Sequence, residues 1–334
     1  MNFGDINHFI LLGGGKLLLE SAIMLKEEGV SVFVVTSERH SREIIGNNET
    51  LIESIKCNNI AHVISCEVTM DPNVIRMITE KTIGISIGAA WVFKKSFIDL
   101  FNGRLINLHP TRLPQNRGGG IFSWMALRNE RTGICLIHQV DVGVDSGNII
   151  LFEEYIYPSY CRLPSEYQEY SINEYKKLLR KFLQFIKEKI TFDLIPQQNV
   201  FSAYWPRLQT DIHGYIDWSW KLRDIEQFVC AFDDPYNGAS TFLNSVRVRF
   251  RKCCSSFVDG SFHPFQKGII YRITAETIFV AADQGTLLVN SVLGETGADI
   301  KAKLKLGDRF YTAVHYLEKA KQYRVVYTAK GIKD

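Results

Sequence analysis

The sequence predicts an α/β protein, a doubly wound and mostly parallel sheet followed by a smaller β-rich C-terminal domain. Three observations carry this expectation. From His8 to Ile190, short apolar runs rich in β-branched residues alternate with stretches of helical periodicity. Past a polar-aromatic stretch at 193–206, short strands follow one another closely, separated by glycine or polar turns. The length, 334 residues, is generous for one domain and comfortable for two. The expected division is a first domain at 1–192, a linker at 193–206 and a second domain at 207–334.

His8 to Leu12 reads as the first strand, Gly13-Gly14-Gly15 as a tight turn, Lys16 to Glu28 as a helix and Val30 to Thr36 as the next strand. The glycines lack the spacing of a dinucleotide fingerprint, and no Gly-Lys-Ser/Thr follows them. Ser41 to Asn58 has helical spacing, Ala61 to Ile64 is a short strand, and Asp71-Pro72 should cap a helix through Lys81. Ile83 to Ile87 is a buried strand leading into Gly88-Ala89-Ala90-Trp91-Val92-Phe93 and a helix ending at Leu100. After the strand from Leu105 come a loop to Gly120, a helix from Ile121 to Asn129, and strands at Thr132–Gln139 and Asn148–Tyr157. An irregular stretch is expected at Pro164–Tyr170, then a long amphipathic helix from Ser171 to Ile190 covering the sheet. The second domain should hold a short helix at Ile225–Phe232 and five short strands between Gly238 and Val292, with a basic, frayed end from Lys319.

Hydrophobic content of 46% and charged content of 22% are ordinary for a globular protein. A net charge of +3 suits a phosphorylated or polyglutamylated ligand but argues for no nucleic acid. Seven cysteines without a Cys-x-x-Cys imply reduced thiols of a cytoplasmic protein, with no disulfide framework and no metal site. The start of the chain lacks the basic character of a signal peptide, and no segment approaches a membrane span.

The residues with chemistry lie between Leu105 and Ile150. The strand end Asn107-Leu108-His109 places Asn107 and His109 on one face, because alternate side chains share a face. A second apolar run, Ile134 to Val140, ends in the acidic loop that carries Asp141 and Asp145. An amide, an imidazole and a carboxylate at strand ends of an α/β sheet suit acyl transfer to an amine. Such a reaction needs an oxyanion donor and a proton path but no activated serine or cysteine. Asn107 can donate to the oxyanion, His109 can donate or relay a proton, and Asp145 can hold that histidine or an ordered water.

The same residues carry a resemblance. Asn107-Leu108-His109-Pro110, the loop Leu113-Pro114-Gln115-Asn116-Arg117-Gly118-Gly119, and Val140-Asp141-Val142-Gly143-Val144-Asp145-Ser146-Gly147 are similar to the motifs of the N10-formyltetrahydrofolate-dependent formyltransferases. The resemblance implies that Asn107, His109 and Asp145 are the catalytic set. It implies a pteridine pocket lined by Gly88, Ala89, Ala90 and Trp91, with Asp141 beside the folate. Arg117, Gly118 and Gly119 are the expected contacts to the acceptor's phosphate or carboxylate. Ile216 to Trp220 and Asp234 to Ala239 resemble the family's passage into an open-barrel-like C-terminal domain.

Within the family, the His109-Pro110 variant and the loop ending in Ser123-Trp124 look like the sugar N-formyltransferases. These act on nucleotide-linked deoxyamino sugars, dTDP-amino sugars among them, in bacterial surface-glycan (lipopolysaccharide O-antigen) synthesis. The alternatives are a methionyl-tRNA formyltransferase and a catalytically silent fold-mate that binds nucleotide sugar or folate. The tRNA branch would need a basic surface, for which only Arg247, Arg249 and Arg251 on one strand face present themselves. The expected co-substrate is N10-formyltetrahydrofolate without a metal. The expected partner is a nucleotide-linked amino sugar, with neither nucleic acid nor membrane, and the oligomeric state, homodimer included, stays open.

Overall fold

A computed structural model describes residues 1–46 and 48–331. Its first sheet comprises β1 (His8–Gly13), β2 (Ser31–Thr36), β3 (Ala61–Ile64), β4 (Thr82–Ile87), β5 (Leu105–His109), β6 (Thr132–Gln139) and β7 (Ile149–Ile156), in the order β7-β6-β5-β4-β1-β2-β3. Pairings from β3 through β5 are parallel, and β6 runs antiparallel to both its neighbours. Both faces are covered, as a parallel sheet requires. Along β1, Phe9 and Leu11 face one core, while Ile10 and Leu12 face the other with Phe93, Phe97 and Phe101.

The first face is covered by α1 (Gly15–Glu27), by Leu51 and Ile55 of the helix Leu51–Cys57, and, after α2 (Ile121–Arg128), by α3 (Pro164–Lys187). Tyr175, Leu178, Leu179, Phe182, Leu183 and Ile186 recur at helical spacing on α3 and are buried there. Six such side chains represent on the order of 10 kcal/mol of gross transfer free energy.

The second sheet is antiparallel: β8 (Ala239–Leu243), β9 (Val246–Ser256), β10 (Ile270–Ile273), β11 (Ile278–Ala282), β12 (Gly285–Leu293) and β13 (Phe310–Tyr311), ordered β10-β11-β12-β9-β8-β13. It curls as a half-barrel around α4 (Leu222–Ala231). That core reaches into the first domain, since Met125 and Ala126 of α2 and Tyr157 and Tyr167 share it with Ile225 and Val229 of α4.

Four local expectations change. The helix expected at 71–81 is a single turn, Pro72–Ile75, because the Thr82 hydroxyl accepts from the Thr79 amide at 3.1 Å and turns the chain. Within 41–58 a short ribbon pairs 44–46 with 49–50, and the helix starts only at Leu51. Thr50 and Glu53 form a capping box there, with the Thr50 amide on Glu53 Oε2 at 2.8 Å. Residues 164–170 are helical, because Pro164 suits a first turn and Glu166 accepts from the Arg162 and Leu163 amides at 2.8 and 2.9 Å. The basic end is ordered: α5 (Val314–Gln322) is followed by a stretch that buries Val325 and Ala329. The Ala329 carbonyl accepts from the Arg39 amide at 3.1 Å. Residues 332–334 of that expected frayed end lie outside the described residues.

Candidate active site

The carboxyl ends of β5 and β6 build the site. Register pairs Asn107 with His138 and His109 with Leu136, so two imidazoles and an amide meet on one face. Asn107 Nδ2 lies 3.0 Å from His138 Nε2, and His138 Nδ1 lies 2.7 Å from the Gln139 carbonyl. A carbonyl only accepts, so Nδ1 carries the proton and Nε2 accepts from Asn107. His138 is therefore neutral. Burial, with the neighbouring His109 adding to it, holds its pKa down to about 4.

His109 is 3% exposed. Its Nε2 lies 2.8 Å from the Asn116 carbonyl and 3.1 Å from Thr111 Oγ1, so Nε2 carries its proton. Nδ1 then faces Asp145 Oδ1 at 3.7 Å, with His138 Nε2 also 3.7 Å from that oxygen. The Nδ1 edge of the imidazole thus faces the carboxylate directly.

Asp145 is held from several sides. Its backbone is left-handed (φ 50°), a conformation that persists in a non-glycine residue only when neighbours enforce it. The Gly118 amide donates to Asp145 Oδ2 at 2.9 Å. Gln197 Nε2 donates to the Asp145 and Gly147 carbonyls at 2.9 and 2.7 Å. Gln197 Oε1 in turn accepts from Arg117 at 2.8 Å, and Arg117 also reaches Asn199 Oδ1 at 2.9 Å. Residues 117–118 pair in parallel with Tyr204–Trp205, and the Gly119 amide donates to the Trp205 carbonyl at 3.0 Å. A Cβ on Gly118 would sit 2.3 Å from the Trp205 carbonyl oxygen, so only glycine allows this approach.

The structure thus brings Asn107, His109 and Asp145 together. Arg117, Gly118 and Gly119 adjoin them, but their polar groups are engaged with Asp145, Gln197, Asn199 and Trp205. Asp141 is exposed and tied within its own loop, accepting from Ser146 Oγ at 2.6 Å and the Gly143 amide at 3.0 Å. Gly88, Ala89, Ala90 and Trp91 follow the carboxyl end of β4. The Trp91 indole nitrogen there is buried without a partner, an orphan donor suited to a ligand acceptor. Val142 and Val144, 68% and 53% exposed, offer apolar wall on the other loop. These features fit a flat heteroaromatic ligand bearing acceptors.

Sequence reasoning did not single out His138, Thr111, Asn116 or Gln197. His138 sits in an apolar run and reads as core, its one signal being its place at the strand end before the acidic loop. His109, His138 and Asp145 each offer one atom within 4.8 Å of the others, the spacing of a metal site. The lone pair of His138 is already committed to Asn107, which leaves two ligands for an ion.

A doubly wound sheet with an amide, two imidazoles and a carboxylate at its strand ends places this polar cluster where α/β proteins bind their ligands. The particular family follows from comparison. The formyl transferase family matches residues 9–157, and the formyl transferase C-terminal domain matches residues 210–305. The chain belongs to the formyl transferase family and is a formyltransferase. Among curated relatives, the methionyl-tRNA formyltransferase of Alkaliphilus oremlandii is 27% identical over 304 residues, covering 90% of this chain and 93% of the relative. Among solved structures, the N-formyltransferase from Helicobacter canadensis in complex with folinic acid and dTDP-3-aminofucose superposes with a TM-score of 0.64. It is 17% identical and covers 86% of this chain and 99% of that one. The sugar 3N-formyltransferase WlaRD, with dTDP and 5-N-formyl-THF, gives a TM-score of 0.62 at 17% identity, covering 85% of this chain and 97% of that one. Among the described residues, no helix is long and apolar enough to cross a membrane.

Proposed function

We propose that the protein transfers a formyl group to the amine of a nucleotide-linked deoxyamino sugar, with N10-formyltetrahydrofolate as the donor. The observation that carries the chemistry is the 3.7 Å approach of His109 Nδ1 to Asp145 Oδ1, an imidazole nitrogen set against a carboxylate that can stabilise it when protonated. The amine nitrogen attacks the formyl carbon and sheds a proton. His109 Nδ1 receives it, and the Asp145 carboxylate stabilises the imidazolium that results. The tetrahedral intermediate then collapses with cleavage of the bond between the formyl carbon and N10. The same proton passes from His109 to N10, so that tetrahydrofolate leaves and the formamide remains on the sugar. Asn107 spends one N–H on His138 and keeps the other for the developing oxyanion. Gly88, Ala89, Ala90 and Trp91, with the exposed loop of Asp141, are the assigned folate contacts.

The acceptor assignment is supported by solved neighbours that this chain covers almost in full, one carrying dTDP and the other dTDP-3-aminofucose. It is supported also by the fate of the basic strand face. Arg247 and Arg249 both reach Asp211, at 2.7 and 3.2 Å, and Arg251 is paired with Asp233. That face is internally neutralised and offers little to the phosphates of an RNA. The second reading, formylation of initiator methionyl-tRNA, rests on the full-length curated relatives. We further assign the domain division 1–192, 193–206 and 207–334, and a cytoplasmic location supported by seven free thiols.

The deciding experiment is formyl transfer from N10-formyltetrahydrofolate to a panel of dTDP- and UDP-linked 3- and 4-amino sugars, beside initiator methionyl-tRNA. Turnover of one amino sugar with tRNA inert is the expected result. Efficient formylation of the tRNA with every sugar inert overturns the sugar assignment.

A further inference from the structure

Outside the site described above, an open cleft of about 290 Å³ lies between the segment leading to His213 and the stretch that follows α5. Tyr204, Arg207, His213, Lys321, Tyr323 and Arg324 line it, and no carboxylate does. Its charge is only partly answered, since Arg207 acts from a distance on the half-buried carboxyl of Glu43. Among the described residues, Arg207, Lys321 and Arg324 form no ion pair, whereas the arginines of β9 are all neutralised by aspartates. Arg207 lies over the Tyr327 ring at 4.6 Å, and Arg39 lies over the same ring at 5.5 Å. Two guanidinium groups thus share one phenol. Their repulsion is felt locally: burial first, then Arg39 and Arg207, hold the pKa of His40 down to about 3. Among the described residues, Glu43 is the one carboxylate that pairs with Arg39, at 3.0 Å. His213 is tied locally, its Nε2 2.9 Å from the Tyr323 carbonyl and its Nδ1 2.8 Å from the Gln209 amide.

Cations held close together without acids favour an anion with more than one charge. Arg324 lies over the Tyr204 ring at 5.5 Å, and Tyr204 and Tyr323 are 50% and 38% exposed, so aromatic surface adjoins the charge. Guanidinium forks and exposed rings are the chemistry that recognises a diphosphate next to a ring system. The position also counts. The strand Tyr204–Trp205 that walls this cleft pairs with Arg117–Gly118, and the Gly118 amide holds the carboxylate of Asp145.

We propose that this cleft binds the diphosphate of a nucleoside diphosphate, and so anchors the acceptor beside the strand that supports the reacting loop. The inference rests on the nucleotide-linked reading of the acceptor. It adds the residues that would hold the phosphates: Arg207, Lys321 and Arg324.

The test is calorimetric titration of the full chain with dTDP and with UDP. It compares wild type, Lys321→Ser/Arg324→Ser, Arg207→Ser, Arg207→Lys, and the charge control Lys303→Ser/Lys305→Ser. The double variant and Arg207→Ser are expected to weaken diphosphate binding at least tenfold, with KM for the amino-sugar acceptor rising in parallel. Arg207→Lys keeps the charge but loses the fork and the stacking on Tyr327, so its affinity should fall between Arg207→Ser and wild type, while the control should stay near wild type. Unchanged affinity in both loss-of-charge variants overturns the cleft, even if wild type formylates a nucleotide-linked sugar, in which case the acceptor reading survives alone. No binding of either diphosphate to wild type overturns the cleft, and absence of sugar turnover as well removes the acceptor reading with it. Binding of tRNA that depends on these residues, without diphosphate binding, also counts against the proposal.

Discussion

His138 Nε2 accepts the side-chain amide of Asn107 at 3.0 Å, across the one antiparallel pairing of β5. The bond fixes which way the Asn107 amide turns, because its nitrogen must face the imidazole. His138→Phe keeps volume and removes the acceptor, freeing the amide to flip its oxygen toward the oxyanion. We expect turnover to fall about 100-fold, the scale for losing one oxyanion donor, with folate affinity little changed. Single-turnover kinetics with saturating donor would check this, and a loss confined to KM would refute it.

The neutral state of His138 has a signature in stability. Its folded pKa is depressed to about 4 and that of His40 to about 3, each below the ordinary histidine value of 6.5. Between pH 6.5 and these values the unfolded chain binds protons that the folded chain refuses, so stability must fall as pH falls through that window. It is fully present above pH 6.5. Thermal melts from pH 8 to 4 should show a decline for wild type that is shallower in His40→Asn and in His138→Asn.

Removing charge from the carboxylate separates its roles. Asp145→Asn preserves shape but cannot stabilise an imidazolium at His109, 3.7 Å away. Turnover should drop by about two to three orders of magnitude, the scale for losing a proton-transfer group. Equilibrium binding of formyl-folate should change only modestly, and an equal loss in both would make Asp145 chiefly a folate contact.

Gln197 is a positioning residue. It links Arg117 to the backbone of the Asp145 loop, so Gln197→Ala and Arg117→Ala should each lower turnover about tenfold. The double variant should be no worse than the more damaging single one, because both break one chain of hydrogen bonds. Strictly additive losses would mean the two residues act independently.

The β9 arginines make a different prediction from the one their spacing invites. Asp233 is 1% exposed and accepts from Arg251 Nε and the Lys252 amide. Arg251→Ser strands a buried carboxylate and should cost about 3 kcal/mol in chemical denaturation. Arg247→Ser should cost much less, because Asp211 is half exposed and keeps Arg249.

Much of the site is legible before any coordinates. Asn107 and His109 stand two residues apart at the end of an apolar strand, and Asp145 ends a loop bounded by glycines, so local periodicity suffices for all three. His138 is different in kind. A histidine among Ile134, Leu136 and Ile137 looks like core until antiparallel register sets it opposite Asn107. Gln197 has no local signal at all, because its partners are 50 and 80 residues away. The sheet was readable for a related reason: strands buried on both faces make continuous apolar runs. The helix expected at 71–81 failed because two threonine hydroxyls compete for backbone groups, an effect that periodicity does not register.

Residues 158–209 belong to neither family match, yet they include Gln197 and the pair Tyr204–Trp205 that brace the reacting loop. The segment that joins the two modules is therefore also a working part of the first. A chimera cut at the end of the first match would inherit Asn107, His109, His138 and Asp145 while losing the buttress behind them. Transplanting the chemistry into another scaffold means carrying the chain through Trp205, and exchanging the half-barrel means rejoining beyond that point.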